Sequence, residues 1–228
     1  MAAALLTAVE RTGADYVMLG NTYGYGPVEG PMTEDLPMSA TTVKGRVRAQ
    51  MWQDALAAHE AGRVRVTEVR SAGFLGPGPV GAYALFVAAA VLAGEEASYP
   101  GDLDAPHTWN YTEDIARTLV AASGADRAWG RAWHVPATSS VSVRRLTEQA
   151  AEPGWRRRPS APPSAPPGSG RAWLGRSRCS ASLLEMLYSN ESPHILDSAF
   201  TQEVLGVRPT PLDAVLRHTL AGDHPRAA

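Results

Sequence analysis

Lys44 is the only lysine in the chain; every other member of its 21 Lys and Arg residues is an arginine. An ammonium is compact and can give up its proton, whereas a guanidinium is planar, larger and permanently charged. An arginine-rich chain has a chemical reason to keep one lysine where a point charge is required. Chance escape from an arginine bias is the plainer alternative. Upstream of Lys44 stands a second set of groups able to touch a ligand, Gly20-Asn21-Thr22-Tyr23-Gly24-Tyr25-Gly26-Pro27. It holds an amide, a hydroxyl and two phenols, and its glycines let the backbone turn sharply and a ligand approach closely.

These groups need elements to position them. Tyr16-Val17-Met18-Leu19 is an apolar run with no polar residue, as in a strand covered on both faces of a parallel sheet. Ligands of open parallel sheets bind beyond the carboxyl ends of the strands, which is where the glycine-rich turn falls. Before it, Ala3–Arg11 reads as a helix with Gly13 as its cap. After it, Thr33-Glu34-Asp35-Leu36-Pro37 reads as a solvated acidic turn. Lys44 to Ala61 then reads as a helix with Val47, Met51, Ala55 and Ala58 on its inner stripe and Gly62 at its end. Arg63–Val69 is the next expected strand, polar and apolar in alternation, and Arg70 and Ser71 open the turn that leaves it.

The order of these segments is what carries a resemblance. NTYGYGP, TEDLP and KGRVRAQM, followed by VRVTEVRSAGFLGPG, PGDLDAPHTWNYTEDIARTLV, RAWHVP and GVRPTPLDAVLRHTL, resemble the NAD-dependent epimerase/dehydratase family of the extended short-chain dehydrogenase/reductase superfamily. The likeness covers most of the chain except about 153–182. It implies hydride transfer between NAD or NADP and a carbinol carbon, on a small-molecule substrate such as a nucleotide sugar. In that family a Ser or Thr orients the substrate oxygen, a Tyr four residues before the Lys exchanges a proton, and the Lys holds the nicotinamide ribose. Here Asn21 and Thr22 stand at the orienting position, and Lys44 at the ribose position. Ala40 stands where the tyrosine is expected, and it has no proton to give. Tyr25 is the substitute phenol. A phenol with a pKa near about 10 needs a neighbouring cation at neutral pH, which Lys44 would supply. The resemblance therefore implies Lys44, Tyr25, Asn21 and Thr22 as catalytic residues. It implies Lys44, Arg70 and Ser71 as cofactor contacts, and Tyr23 and His107 as substrate contacts. His107 is expected on a loop before a short strand, where simple exposure is the alternative. No metal site is expected.

Gly76-Pro77-Gly78-Pro79-Val80-Gly81 matches Gly-x-Gly-x-x-Gly, but it does not follow the first strand of a βαβ unit, and its prolines remove backbone donors. The glutamates Glu95 and Glu96 follow a helix rather than a strand. No other glycine-rich phosphate loop precedes the Tyr16 strand. The fold expected is thus α/β, the carboxyl-terminal part of a doubly wound, Rossmann-like parallel sheet with a small, partly irregular substrate-binding region. The chain reads as an amino-terminally truncated fragment of weak or no activity alone. A non-catalytic NAD(P)- or metabolite-binding regulatory protein of the same fold is the alternative.

The rest bounds the surroundings. A net charge of −2 and a pI near 6.3 give no reason to expect nucleic acid or an anionic membrane as partner. One cysteine, Cys179, excludes an internal disulfide and is compatible with the cytoplasm. The apolar segment Ala82–Ala93 is too short to span a bilayer and reads as a buried helix. Further along, Thr112 would cap a helix Glu113–Ala122 with Ile115, Leu119 and Ala122 inward. Trp133–Pro136 would be a strand, and Ser140 or Ser142 would cap a helix ending at Ala150. Residues 1–150 are read as an incomplete NAD(P)-binding domain. Residues 151–182, rich in Pro, Arg and Ser, cannot bury a core and are read as a linker or a frame-error segment. Residues 183–228 are read as a helical remnant, with Asp197 capping a helix Ser198–Leu205 and Leu212, Val215, Leu216 and Leu220 lining the last one. Pairing as a homodimer is a further expectation from the resemblance.

Overall fold

The computed structural model describes residues 2–78, 81, 83–88, 90–91, 97–150 and 184–221. The proposed linker 151–182, Pro79 and Val80 of the glycine motif, Glu95, Glu96 and the side chain of Leu220 lie outside the described residues. In chain order the described strands are β1 (Tyr16–Asn21), β2 (Val66–Ser71), β3 (Gly73–Leu75), β4 (Pro106–Tyr111), β5 (Arg131–His134) and β6 (Ser139–Ser142). The longer helices are α1 (Ala2–Thr12), α2 (Val43–Glu60), α3 (Thr112–Gly124), α4 (Val143–Ala150), α5 (Ala199–Leu205) and α6 (Leu212–Ala221).

The chain forms two compact units, each assembled from separate stretches. The first comprises Met1–Ser71, Glu113–Pro136 and Leu196–Arg208. The second comprises Ala72–Thr112, Ala137–Ile195 and Pro209–Ala228. This grouping is discontinuous, whereas the sequence suggests linear boundaries.

The first unit holds a parallel sheet in the order β1-β2-β5. Tyr16 to Asn21 lie in register with Val66 to Ser71, and Thr67 to Arg70 with Arg131 to His134. Because β2 is central, all six of its residues are buried, so no polar-apolar alternation survives. It starts three residues later than the sequence suggests and ends at Ser71, which places Arg70 and Ser71 in the strand rather than in the turn beyond it. β5 likewise begins at Arg131, ahead of the expected Trp133. One core cluster joins Met18, Val66 and Ala132 of the sheet to Trp52, Ala55 and Ala58 of α2, with Leu6 and Val9 of α1 packed against it. The inner face of α2 runs Gly45, Ala49, Trp52, Ala55 and Ala58. Val47, expected inside, is 52% exposed. The local punctuation is as the sequence suggests: Gly13, Gly62 and Gly206 all take left-handed φ, near +70°, at helix ends. Asp197 Oδ1 accepts from Ala199 N at the start of α5.

The second unit holds β3, β4 and β6, with β3 parallel and β6 antiparallel to β4. Its core gathers Leu75, Trp109 and Tyr111 from the sheet with Val143 and Leu146 of α4 and Val215 and Leu216 of α6. Within 82–93, Tyr83, Val87, Ala88 and Val91 are buried, as expected of an internal helix. Ser142 Oγ accepts from Arg145 N and so caps α4. His107 is not on a loop. It lies in β4 and is buried, because the strand begins at Pro106 and His107 pairs with Val141 of β6 on one side and His194 on the other. No described helix is long and apolar enough to cross a membrane.

Candidate functional site

β1 and β2 end side by side, with Asn21 opposite Ser71. Asn21 Oδ1 accepts from Tyr23 N at 3.1 Å, a side-chain turn that ends the strand and starts one turn of 3-10 helix, Tyr23–Tyr25. Thr22 is buried at the head of that turn. Ser71 Oγ is buried and has no hydrogen-bond partner, an unusual state for a hydroxyl. Tyr23 is partly buried. Burial pushes its phenol up, and Arg48 pulls it back.

The first turns of α2 pack on this turn at backbone distance. A Cβ on Gly45 would lie 2.4 Å from Ala40 Cβ and 2.6 Å from the Tyr23 carbonyl oxygen, so the approach requires glycine. Thr42 Oγ1 caps α2 by accepting from Gly45 N at 3.1 Å. Lys44 sits between these two residues in the first helical turn, half-buried. Ala40 N donates to the Gly24 carbonyl at 3.1 Å, and Ser39 Oγ to the Tyr25 carbonyl at 2.7 Å, which ties the segment entering α2 to the same turn.

Beneath the turn runs a chain of buried polar side chains. Tyr25 is 0% exposed and Arg70 1%. Arg70 Nη1 donates to the Tyr25 hydroxyl at 2.6 Å, and Arg70 Nε donates to Glu68 Oε2 at 2.6 Å. The same hydroxyl lies 2.7 Å from His134 Nε2. His134 Nδ1 lies 2.7 Å from the Asp197 carbonyl oxygen, which can only accept. Nδ1 therefore carries the proton, Nε2 is the acceptor, and Tyr25 donates to His134 while accepting from Arg70. Glu34 Oε1 accepts from Thr201 Oγ1 at 2.7 Å, and Thr201 in turn accepts from His134 N at 3.0 Å. Burial pushes the Tyr25 phenol and the Glu68 carboxyl up against the pull of Arg70, and pushes the His134 imidazole down. All of these effects of burial favour neutral forms, and the Arg70 charge opposes them at Tyr25 and Glu68.

A cleft of about 580 Å³ opens beside β5, with Glu34, Trp52, Leu56, Arg131, Asp197 and Phe200 in its walls. Neither Lys44, Asn21, Thr22 nor Ser71 lines it. In the second unit, His107 Nε2 is buried without a partner. Burial pushes the His107 imidazole down to about 4, and His194 to about 4 with His107 adding to the effect. Among the described residues no group of His, Cys, Asp and Glu has the arrangement to hold a metal ion.

The structure thus brings Asn21, Thr22, Tyr23 and Tyr25 into one turn packed on the helix start that carries Lys44. It sets Ser71 opposite Asn21 and joins Arg70 to Tyr25. It places His107 in the second unit. Glu68, His134 and Thr201 are not singled out in the sequence, and Glu34, expected in a solvated turn, is half-buried and accepts from Thr201. One signal was there: Glu68 and Arg70 are two apart on a strand, hence on one face, and a buried strand must pair them.

A family model described as the NAD dependent epimerase/dehydratase family matches residues 1–135. Comparison with curated protein sequences gives no match. Among solved structures, MoeE5 in complex with UDP-glucuronic acid and NAD is similar with a TM-score of 0.74 at 21% identity, covering 96% of this chain and 68% of that one. UDP-glucuronic acid 4-epimerase from Bacillus cereus in complex with NAD gives 0.75 at 15% identity, covering 96% and 64%. UDP-glucose 4-epimerase from Thermotoga maritima with UDP-glucose gives 0.71 at 21%, covering 96% and 66%. The shared feature is the Rossmann-type fold, and this chain spans about two thirds of the length of each of these structures.

Proposed function

The chain belongs to the NAD-dependent epimerase/dehydratase family, and on that premise we propose that its sheet-end turn holds the nicotinamide-ribose end of NAD or NADP beside a hydroxylated substrate. The observation that carries this is the pairing of two strand ends, Asn21 and Ser71, with a buried Ser71 hydroxyl left without a partner. The residues present fit that end of the dinucleotide. An orphan hydroxyl can bond a carboxamide or a sugar hydroxyl, and an ammonium carried by the adjacent helix start can bond ribose oxygens. Lys44 would hold the ribose, Ser71 the carboxamide side, and Asn21 and Thr22 a substrate oxygen. When bound, the dinucleotide would supply the hydride acceptor. Tyr23, partly exposed at the turn, is the nearer phenol for substrate contact. His107 is the residue to test for substrate contact in the second unit, its buried and unpartnered Nε2 being the supporting feature.

The substrate class we infer is a nucleotide sugar, by extension from the UDP-sugar complexes among the similar structures. Epimerisation, dehydration or reduction at a carbinol carbon would be the reaction, with weak or no turnover by this chain alone. The resemblance extends to a homodimer in the cytoplasm, which light scattering and fractionation test. A second reading is favoured by one observation. Ala40 fills the position of the expected proton donor and packs against Gly26 and Gly45. On this reading the chain binds NAD(P) or a metabolite and does not turn it over.

Calorimetric titration with NADH tests the proposal. Binding by the wild type, weakened about tenfold or more by Lys44→Ala, is expected. Absence of binding, or binding indifferent to both Lys44→Ala and Ser71→Ala, removes the site from this turn. Turnover of a UDP-sugar with NAD, lost in Lys44→Ala, selects the enzyme over the binder.

A further inference from the structure

We infer that Tyr25 and Arg70 are positioning residues: the buried series Glu68, Arg70, Tyr25 and His134 is a clamp that sets the shape of the 22–26 turn and of the segment leading to Lys44. Its meaning for ligand binding rests on the proposed function. Its geometry does not.

The Tyr25 hydroxyl is enclosed. It has one proton, and His134 Nε2 takes that proton's hydrogen bond because His134 Nδ1 is committed to the Asp197 carbonyl. Its lone pair receives Arg70 Nη1. With the ring 0% exposed, no face of the phenol is open to a substrate. Arg70 is committed through two of its three guanidinium nitrogens, while its Nη2 is buried with no hydrogen-bond partner. Its fork reaches Glu68 through Nε and Tyr25 through Nη1, and its guanidinium carbon lies 5.0 Å from the Tyr25 ring centre and 5.3 Å from that of Trp52. A planar group with donors pointing two ways can do this, and an ammonium cannot.

The backbone shows what the clamp holds. Tyr25 N donates to the Thr22 carbonyl and Gly26 N to the Tyr23 carbonyl, which closes the turn. Ser39 Oγ and Ala40 N reach the Tyr25 and Gly24 carbonyls, which docks the segment that enters α2. Lys44 follows Ala40 by four residues. Displacing the Tyr25 ring therefore moves both arms together, the Asn21–Thr22 arm and the Lys44 arm. This reassigns Tyr25, whose hydroxyl is closed to ligand, and gives Arg70 a part that acts through the turn.

Hydrogen exchange by NMR on the full chain tests the clamp with no ligand present. Tyr25→Phe keeps the ring and removes both hydroxyl bonds; Arg70→Lys keeps the charge and loses the fork. In both variants the Gly26 and Ala40 amides should exchange about tenfold faster, while the interior amides of α3 exchange as in the wild type. Unchanged exchange at Gly26 and Ala40 in Tyr25→Phe, the milder change, overturns the inference even if Arg70→Lys fails to fold. The ligand readout is separate. If the wild type binds NADH, both variants should bind about tenfold more weakly, and full affinity in Tyr25→Phe also overturns the clamp. If the wild type does not bind NADH, the proposed function fails and the exchange result alone decides the clamp.

Discussion

In the first unit, β2 carries Glu68 and Arg70 into the interior and joins them in an ion pair that continues through Tyr25 to His134. In the second, β4 carries His107 to similar burial, beside His194, and burial holds both imidazoles in the neutral form. Leu75, Val143 and Leu146 pack with Trp109 of that strand, while its Asn110 Oδ1 accepts from Ala72 N and its Thr108 Oγ1 lies 3.3 Å from Ser140 Oγ. The difference is one of function within the fold. A buried ion pair is weak support for stability against a well-packed apolar alternative, but it fixes direction, and breaking it by removing one partner is costly. The unit that must fix the angle of a turn uses oriented bonds. In the second unit the polar side chains of β4 bond neighbouring backbone and strand, and apolar volume fills the rest of that core.

The largest expected effect breaks the first half of this comparison. Arg70→Ala leaves Glu68 charged and unpaired in the interior and takes a bond from Tyr25, and should cost about 3–5 kcal/mol in urea unfolding. A cost below about 1 kcal/mol would mean that Glu68 is already neutral and that the pair orients nothing. Next is Leu146→Ala in the apolar core of the second unit. Leu146 is fully buried, and the loss should be about 3 kcal/mol, from lost transfer energy and a residual cavity. The two variants should also differ in kind. Arg70→Ala should loosen the 22–26 amides, and Leu146→Ala should not.

Much of this was legible in the residues, for reasons that differ by element. β1 was readable because Tyr16–Leu19 is a short apolar run ended by glycine, and α2 because small and apolar residues recur at helical spacing up to Gly62. Ser142 and Asp197 act through local bonds a few residues away, so local sequence suffices to suggest such caps. β2 was misplaced because RVRVTEV alternates in sequence while a central strand is buried on both faces. Its neighbours β1 and β5, far away in the chain, decide that. The hydrogen bonds of Tyr25 are not legible for the same reason. Its partners Arg70 and His134 lie 45 and 109 positions away, and no spacing rule links them. Gly101-Asp102 and Pro106 punctuate the stretch before His107 and suggest a loop, whereas pairing with β6, His107 opposite Val141, extends β4 back over it.

Burial lowers both His107 and His194 to about 4 from an ordinary 6.5. Between those values the unfolded chain binds protons that the folded chain does not, so stability rises with pH through this window. It is fully present above about 6.5 and falls on acidification by up to about 1.4 kcal/mol per pH unit for each imidazole. Urea midpoints measured from about pH 7 to about pH 5 should therefore drop, and His107→Gln should flatten the curve. An unchanged slope in His107→Gln would mean that His107 is not the neutral, buried group that distinguishes this unit.

The smallest effect sharpens the comparison most, because it applies the same change to both units. Thr42 Oγ1 accepts from Gly45 N at the start of α2, and Ser142 Oγ accepts from Arg145 N at the start of α4. Each substitution to Ala removes one cap and should cost about 1 kcal/mol of stability. The energies are alike, yet the helix starts are not. The first turn of α2 carries Lys44 and lies against the Tyr23 carbonyl through Gly45, so fraying there shifts the Lys44 backbone relative to the turn. Thr42→Ala should therefore weaken NADH binding as well as stability, whereas Ser142→Ala should lower stability alone. Equal loss of affinity in both variants would mean that binding follows overall stability, and that the start of α2 has no special part in it.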